Sequence, residues 1–192
     1  MKFIFHNLSK AIMNKIISHE LSKFGKVDIA LHKESAIFYD LLEEKGIINY
    51  LKNLDHLGFI SKSHPGNNHK RWDYVMLQLY ILHKLKDEVF RTGLSSGHRI
   101  DGRHEVSGLV ILQIAVFFSN IGHLKGTLSS EVGFLDFLER NNYAKSDFLS
   151  NISDSQDWMD FTNNIINNKD YYKIKYIIAL NFFKEPQHKP SH

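Results

Sequence analysis

The side chains best suited to chemistry fall in two separated stretches. One is Arg71-Trp72-Asp73-Tyr74, which follows a proline-glycine loop and opens a long apolar-striped segment. The other is Phe117–Glu131, FFSNIGHLKGTLSSE, where an apolar run stops at Ser119-Asn120 and leads into Ile121, Gly122 and His123. Arginine and histidine hold oxyanions through charge-assisted hydrogen bonds, and a glycine beside them lets the backbone come close to a ligand. His69, Lys70, Arg99, Arg103, His104 and Lys125 surround these two stretches in sequence. A basic rim facing an anion is one reading of that pattern, and scattered solvated charge is the other. Tyr74, Ser119 and Asn120 are neutral, and such groups are weak donors to a cation.

Composition excludes several chemistries. There is no cysteine, so disulfides, thiolate zinc sites and cysteine nucleophiles are all ruled out. The chain has 12 histidines, but no His-x-x-x-His pair with a carboxylate in a fixed role supports a metal site. His64 and His69 flank the proline-glycine loop, and His98, His104 and His123 form the other grouping; neither has ligand spacing. No Gly-x-Ser-x-Gly elbow, Walker-type loop or dinucleotide fingerprint is present. The balance of 24 Lys+Arg against 21 Asp+Glu is too even to imply nucleic acid by itself. At 192 residues, with 43% hydrophobic and 23% charged residues, one globular domain with a proper core is expected. The first twenty residues are broken by His6, Asn7, Ser9, Lys10, Asn14 and Lys15 and lack the apolar core of a leader peptide. No stretch reaches the ~18 apolar residues of a membrane span. The expectation is a soluble, cytoplasmic domain with no membrane partner.

The elements that must position these residues read as helices. Asn7 caps an expected helix over Leu8–Phe24, with Leu8, Ile12, Ile16, Ile17 and Leu21 on one stripe and Gly25 as its stop. Asp28 opens a second to Glu44, ended by Gly46, and Ile47–Leu57 makes a third, ended by Gly58. Ser61–Asn68, SKSHPGNN, is the clearest loop. A long helix follows over His69–Arg91, then a polar connection over Thr92–Arg103, a buried helix over His104–Phe118 and a turn over Ser119–Leu128. Helices over Ser130–Asn142, from Ser146, over Asp154–Asn167 and over Asp170–Phe183 complete the chain. The tail Lys184–His192 reads as frayed. No segment shows the alternation that a sheet demands, so the expected fold is all-α with about eight or nine helices. The aromatics, chiefly 14 phenylalanines, follow the apolar stripes and read as core.

Two stretches also carry a family resemblance. Leu54–Tyr80 contains Leu57-Gly58, Pro65-Gly66 and Arg71-Trp72-Asp73-Tyr74. It resembles the deoxynucleoside triphosphate triphosphohydrolase branch of the HD phosphohydrolase superfamily, where leucine-glycine, a proline-glycine loop and an arginine-aromatic-acidic-histidine run occur in that order. Leu112–Glu131 resembles the segment in which a histidine-aspartate pair precedes a hydrophobic residue, glycine and histidine. The resemblance covers roughly residues 54–142 and implies an HD-like helical bundle forming a single domain over residues 1–192. It also implies a divalent metal that activates water and neutralises phosphate charge. The family's metal ligands fall on Tyr74, Ser119 and Asn120, with Asp170-Tyr171 a weak match for a later aspartate. A further family histidine falls on Leu128. Replacing a carboxylate by an amide removes an interaction of about 4 kcal/mol per unit charge at ~4 Å and an effective dielectric of ~20.

Arg71 and His123 match family residues that are kept, and the resemblance gives them a phosphate-holding role. A surface arginine and a turn-fixing histidine are the plain alternatives. The resulting expectation is a catalytically inactive HD-like module that binds, regulates or assembles, with no cofactor and a residual nucleotide or phosphate pocket. The alternatives are a divergent phosphohydrolase whose divalent metal is held at a rebuilt site or one completed by another chain, and a nucleic-acid binder using Lys70, Arg71, Arg99 and Arg103. The family usually oligomerises, which makes a protein partner or a homo-oligomer an expectation by resemblance. The chain is short beside the full triphosphohydrolases.

Overall fold

The computed structural model describes residues 15–58, 60–64, 66, 68–85, 98–100, 104–152 and 155–183, with only the backbone of 98–100, 104, 105 and 152. It opens on a β-hairpin rather than a helix. Strand β1 (Lys15–Leu21) pairs antiparallel with β2 (Gly25–Leu31), in the register Leu21↔Gly25 to Lys15↔Leu31. The expected helix over Leu8–Phe24 and the helix start at Asp28 are therefore both corrected; residues 1–14 lie outside the described set. The reason is visible in burial. Ile17, Leu21, Val27, Ile29 and Leu31 are buried at alternate positions, whereas Ile16, counted on the helical stripe, is 66% exposed. Gly25 adopts φ +68°, the left-handed conformation that closes a three-residue hairpin loop.

Helix α1 (Lys33–Glu44) follows, then α2 (Ile47–Asn53), the single turn α3 (Ile60–Ser63) and α4 (Arg71–Lys84). The long connection holds two short paired strands, β3 (His98–Ile100) and β4 (His104–Val106), where helix or loop is expected. The buried helix α5 (Gly108–Ile121) therefore starts later than His104, at Ser107, whose side chain accepts from the Val110 amide. It also runs three residues further than expected, so Ser119 and Asn120 sit on a helix rather than in a turn. Helices α6 (Leu128–Arg140), α7 (Asn142–Ile152), α8 (Gln156–Asn167) and α9 (Tyr171–Asn181) follow the expected order. The expected span to Arg91 and the tail beyond Phe183 run into residues outside the described set. The protein is mostly helical, with nine helices among the described residues and two two-stranded sheets. None of these helices is long and apolar enough to cross a membrane.

Two apolar clusters organise the packing. The first joins the inner face of the hairpin to α1, α2, α4 and α5, with Trp72, Met76, Leu79 and Phe117 at its centre. Gln113 ties it together from α5: its amide donates to the Ala30 carbonyl and accepts from the His32 backbone N–H and the Ser35 hydroxyl. The second cluster is smaller and is formed by Leu135, Leu138, Ile165, Ile166, Ile174 and Ile177 from α6, α8 and α9. Helix α9 belongs to both, since Ala179 packs in the first cluster and Ile174 and Ile177 in the second.

Candidate functional site

A cavity of about 340 Å³ opens where α4, the end of α5, the start of α6 and α9 meet. Its position follows from backbone contacts. Leu54 leaves α2 in an extended conformation, and the Arg71 amide donates to the Leu54 carbonyl at 2.7 Å. The His56 amide donates to the His69 carbonyl at 3.2 Å, so residues 54–56 run against the start of α4. The four residues of the Arg-Trp-Asp-Tyr run then divide their work. Trp72 is buried in the first cluster. Asp73 accepts from the Lys70 amide at 2.7 Å and meets His19 of the hairpin at 2.9 Å, fixing the helix start. Arg71 and Tyr74 face the cavity.

From α5, Asn120 lies on the same buried face as Gln113 and Phe117, spaced four and then three residues apart. Its amide donates to the Val116 carbonyl at 2.7 Å and to Gln78 Oε1 at 2.9 Å, and Ser119 donates to the Val116 carbonyl at 3.1 Å. Gly122 then ends the helix. A Cβ at this position would collide with the Lys175 carbonyl, so only glycine lets α5 and α9 approach this closely. That approach brings Lys175 to the cavity. The next turn is held from both sides: Tyr50 donates to the His123 carbonyl at 2.6 Å, and His123 Nδ1 lies 2.6 Å from Glu131 Oε1. Thr127 has φ 51°, a strained conformation for a β-branched residue, and it too lines the cavity.

Among the residues expected from sequence, Arg71, Tyr74, Ser119, Asn120 and His123 share this one cavity although they come from separate parts of the chain. Tyr171, half of the weak Asp170-Tyr171 match, lines it as well, while Asp170 itself pairs with Lys173 at 2.7 Å. His69 stands behind the wall, its ring 5.0 Å from that of His56. Lys125 is exposed and does not line the cavity. Neither does His64, which bonds Ser63 at the surface. Arg103 and the side chains of Arg99, His98 and His104 lie outside the described residues. Sequence reasoning missed His56, Gln78, Glu131, Tyr172 and Lys175. His56 directly precedes the Leu57-Gly58 match, which is a usable signal. Lys175 has none, because it comes from the far end of the chain among ordinary helical residues.

The electrostatics are those of a partly desolvated cationic pocket. Arg71 is only 5% exposed; its Nη2 donates to the His56 carbonyl at 2.7 Å, and its Nε has no partner among the described residues. Burial pulls the Arg71 pKa below its ordinary value, against the pull of Glu131, but the guanidinium stays charged. Burial also lowers the Lys175 ammonium, with Glu131 opposing and Arg71 adding to the shift. His56 stacks on Tyr74 at 4.2 Å, and its Nδ1 likewise has no partner among the described residues. Burial first, then the charges of Arg71, His69 and His123, press its pKa down to about 4. Burial lowers His123 too, although its bond to Glu131 works the other way.

These residues do not fit the dication that the family resemblance implies. Tyr74 is a phenol stacked on an imidazole, Ser119 donates to a helix carbonyl, and the Asn120 amide nitrogen is already engaged. No carboxylate stands at any of the three positions, and no group of three or more His, Asp or Glu among the described residues is arranged to hold a metal. An anion fits better. Arg71, Lys175, His56 and hydroxyl groups converge on one space, with a single carboxylate among the described residues, Glu131, on its wall. No protein-family model matches the chain, and comparisons with curated proteins and with solved structures give no match.

Proposed function

We propose that this chain is an HD-like helical domain without hydrolytic activity, which binds a phosphate-bearing ligand such as a nucleotide and acts as a binding or regulatory module. One observation carries the reading. Residues 71, 74, 119, 120 and 123, which two separate stretches of resemblance pick out, line a single cavity, and Arg71 carries there a buried Nε without a partner among the described residues. Chance surface residues have no reason to converge. The neutral residues at 74, 119 and 120 supply hydrogen bonds, and Arg71 and Lys175 supply charge. The test is a panel of nucleotides and inorganic phosphate assayed for binding by calorimetry and for phosphate release with added manganese, magnesium, iron or nickel. Binding without turnover is expected. Hydrolysis that needs a stoichiometric metal and is lost in His123→Ala overturns the proposal.

A second reading, a divergent phosphohydrolase, draws support from one contact. His123 is oriented by the buried Glu131 at 2.6 Å, an arrangement that suits an imidazole accepting a proton from water. The same phosphate-release panel decides between the two, because the second reading requires turnover that is lost when His123 or Glu131 is replaced.

A further inference from the structure

The charge on the cavity wall distinguishes among phosphate ligands. Two cations, Arg71 and Lys175, face one carboxylate, Glu131, while His56 and His123 are both held toward the neutral form. Among the described residues of the wall the formal balance is two positive charges against one negative. That balance is also incomplete in hydrogen bonds. Arg71 Nε and His56 Nδ1 are buried side-chain atoms without partners among the described residues, and the Arg71 bond to the His56 carbonyl fixes the two residues side by side. A buried polar group left unpaired is costly, and Arg71 holds its charge at the cavity wall at that cost.

We infer, on the phosphate-binding reading above, that the pocket selects ligands whose charge is concentrated in one terminal phosphate monoester and discriminates against diphosphates and triphosphates. A monoester brings a charge of about −1.5 to −2 at pH 7, which two cations accommodate. Each further phosphate adds negative charge that the wall does not offset. Polyphosphates are ordinarily accompanied by a magnesium ion held on protein carboxylates. Among the described residues the only carboxylate on this wall is Glu131, and it is bound to His123 at 2.6 Å. It therefore stands as a like charge against a second or third phosphate. Tyr171 and Tyr172, whose rings lie 4.3 Å apart on the wall, leave room for the organic part of the ester against an aromatic surface.

The experiment is calorimetric titration of the full chain at pH 7, in buffer containing a chelator, with a nucleoside monophosphate and with the triphosphate of the same nucleoside. The monophosphate should bind at least about tenfold more tightly, and excess magnesium in place of the chelator should not reverse the order. Arg71→Gln should weaken the monophosphate by about tenfold or more. Lys175→Gln, at a half-buried position, should weaken it by a smaller factor. Glu131→Gln should narrow the preference by improving the triphosphate. A triphosphate that binds as tightly as the monophosphate, or tighter, overturns the selectivity while leaving a phosphate-binding pocket in place. No binding of either nucleotide or of inorganic phosphate overturns both. Monophosphate affinity unchanged in both Arg71→Gln and Lys175→Gln, with folding verified by circular dichroism, also overturns the assignment.

Discussion

The two apolar clusters differ in how they are held, and the candidate site lies at their junction. The first joins sheet and helix across a long stretch of sequence and contains a polar tie, Gln113, that satisfies backbone groups at the end of β2 and the start of α1. The second is built from helices close in sequence and is bordered by exposed aromatics including Tyr143, Trp158, Phe161 and Tyr172. Arg71 projects from the first and Lys175 from the helix that closes the second. The proposed anion site is thus complete only when the clusters are docked. A ligand that bridges the two stabilises the docked state in proportion to its affinity for it.

The sharpest break in this arrangement is Gly122→Ala. The new methyl group meets the Lys175 backbone, which cannot yield without shifting α9 away from α5. The expected cost is about 3 kcal/mol or more, since overpacking against backbone lies at the upper end of its usual range. Urea unfolding should show it, and phosphate binding should be lost even at temperatures where the first cluster persists. Gln113→Leu probes the first cluster alone. It leaves the Ala30 carbonyl, the His32 amide and the Ser35 hydroxyl without their side-chain partner, for an expected loss of about 2–3 kcal/mol. The site itself should survive this change, so ligand affinity measured well below the midpoint should stay close to that of the parent.

How far the sequence could reveal these features follows the same division. The helical second cluster was legible because its apolar residues recur at helical spacing over segments of ordinary length. The hairpin was not. Ile16, Ile17 and Leu21 satisfy a helical stripe as readily as alternation, and only pairing with Val27, Ile29 and Leu31 resolves the ambiguity. Pairing is a property of two segments, and single-segment periodicity is blind to it. For the site, the positions on α4 and α5 were legible because local motifs mark them. Lys175 and Tyr172 were not, because they reach the cavity only through packing at Gly122. The extra turn of α5 mattered as well, since it places Asn120 in the wall instead of a loop.

A smaller effect is expected from pH. The His56 pKa lies at about 4 in the folded chain against 6.5 when free, so the unfolded chain binds the proton first as pH falls. Stability is fully present above pH 6.5 and declines as pH drops from there toward 4. The full displacement is worth at most ~3 kcal/mol, and solvent screening at this half-buried ring reduces it to ~1–2 kcal/mol. His123 acts in the same direction. Denaturant midpoints between pH 7 and 4.5 should therefore fall, and His56→Gln should flatten that slope. A slope unchanged in the variant would place the proton uptake elsewhere.

The smallest effect is predicted on the outer face of α8, and there the comparison between clusters can be made within one helix. Thr162, Ile165 and Ile166 point inward at three- and four-residue spacing, whereas Trp158 and Phe161 are 44% and 47% exposed and meet edge to face at 5.7 Å. Truncating a fully buried isoleucine such as Ile166 to alanine costs about 2–5 kcal/mol, while a change at an exposed position usually stays within ~0.5 kcal/mol. Phe161→Ser should therefore leave the melting curve almost unmoved at every protein concentration. A loss comparable to that of Ile166→Ala, growing as the protein is concentrated, would mean that this face is covered by a second copy of the chain in solution. The second cluster would then owe its stability to association, as its small interior and aromatic border permit.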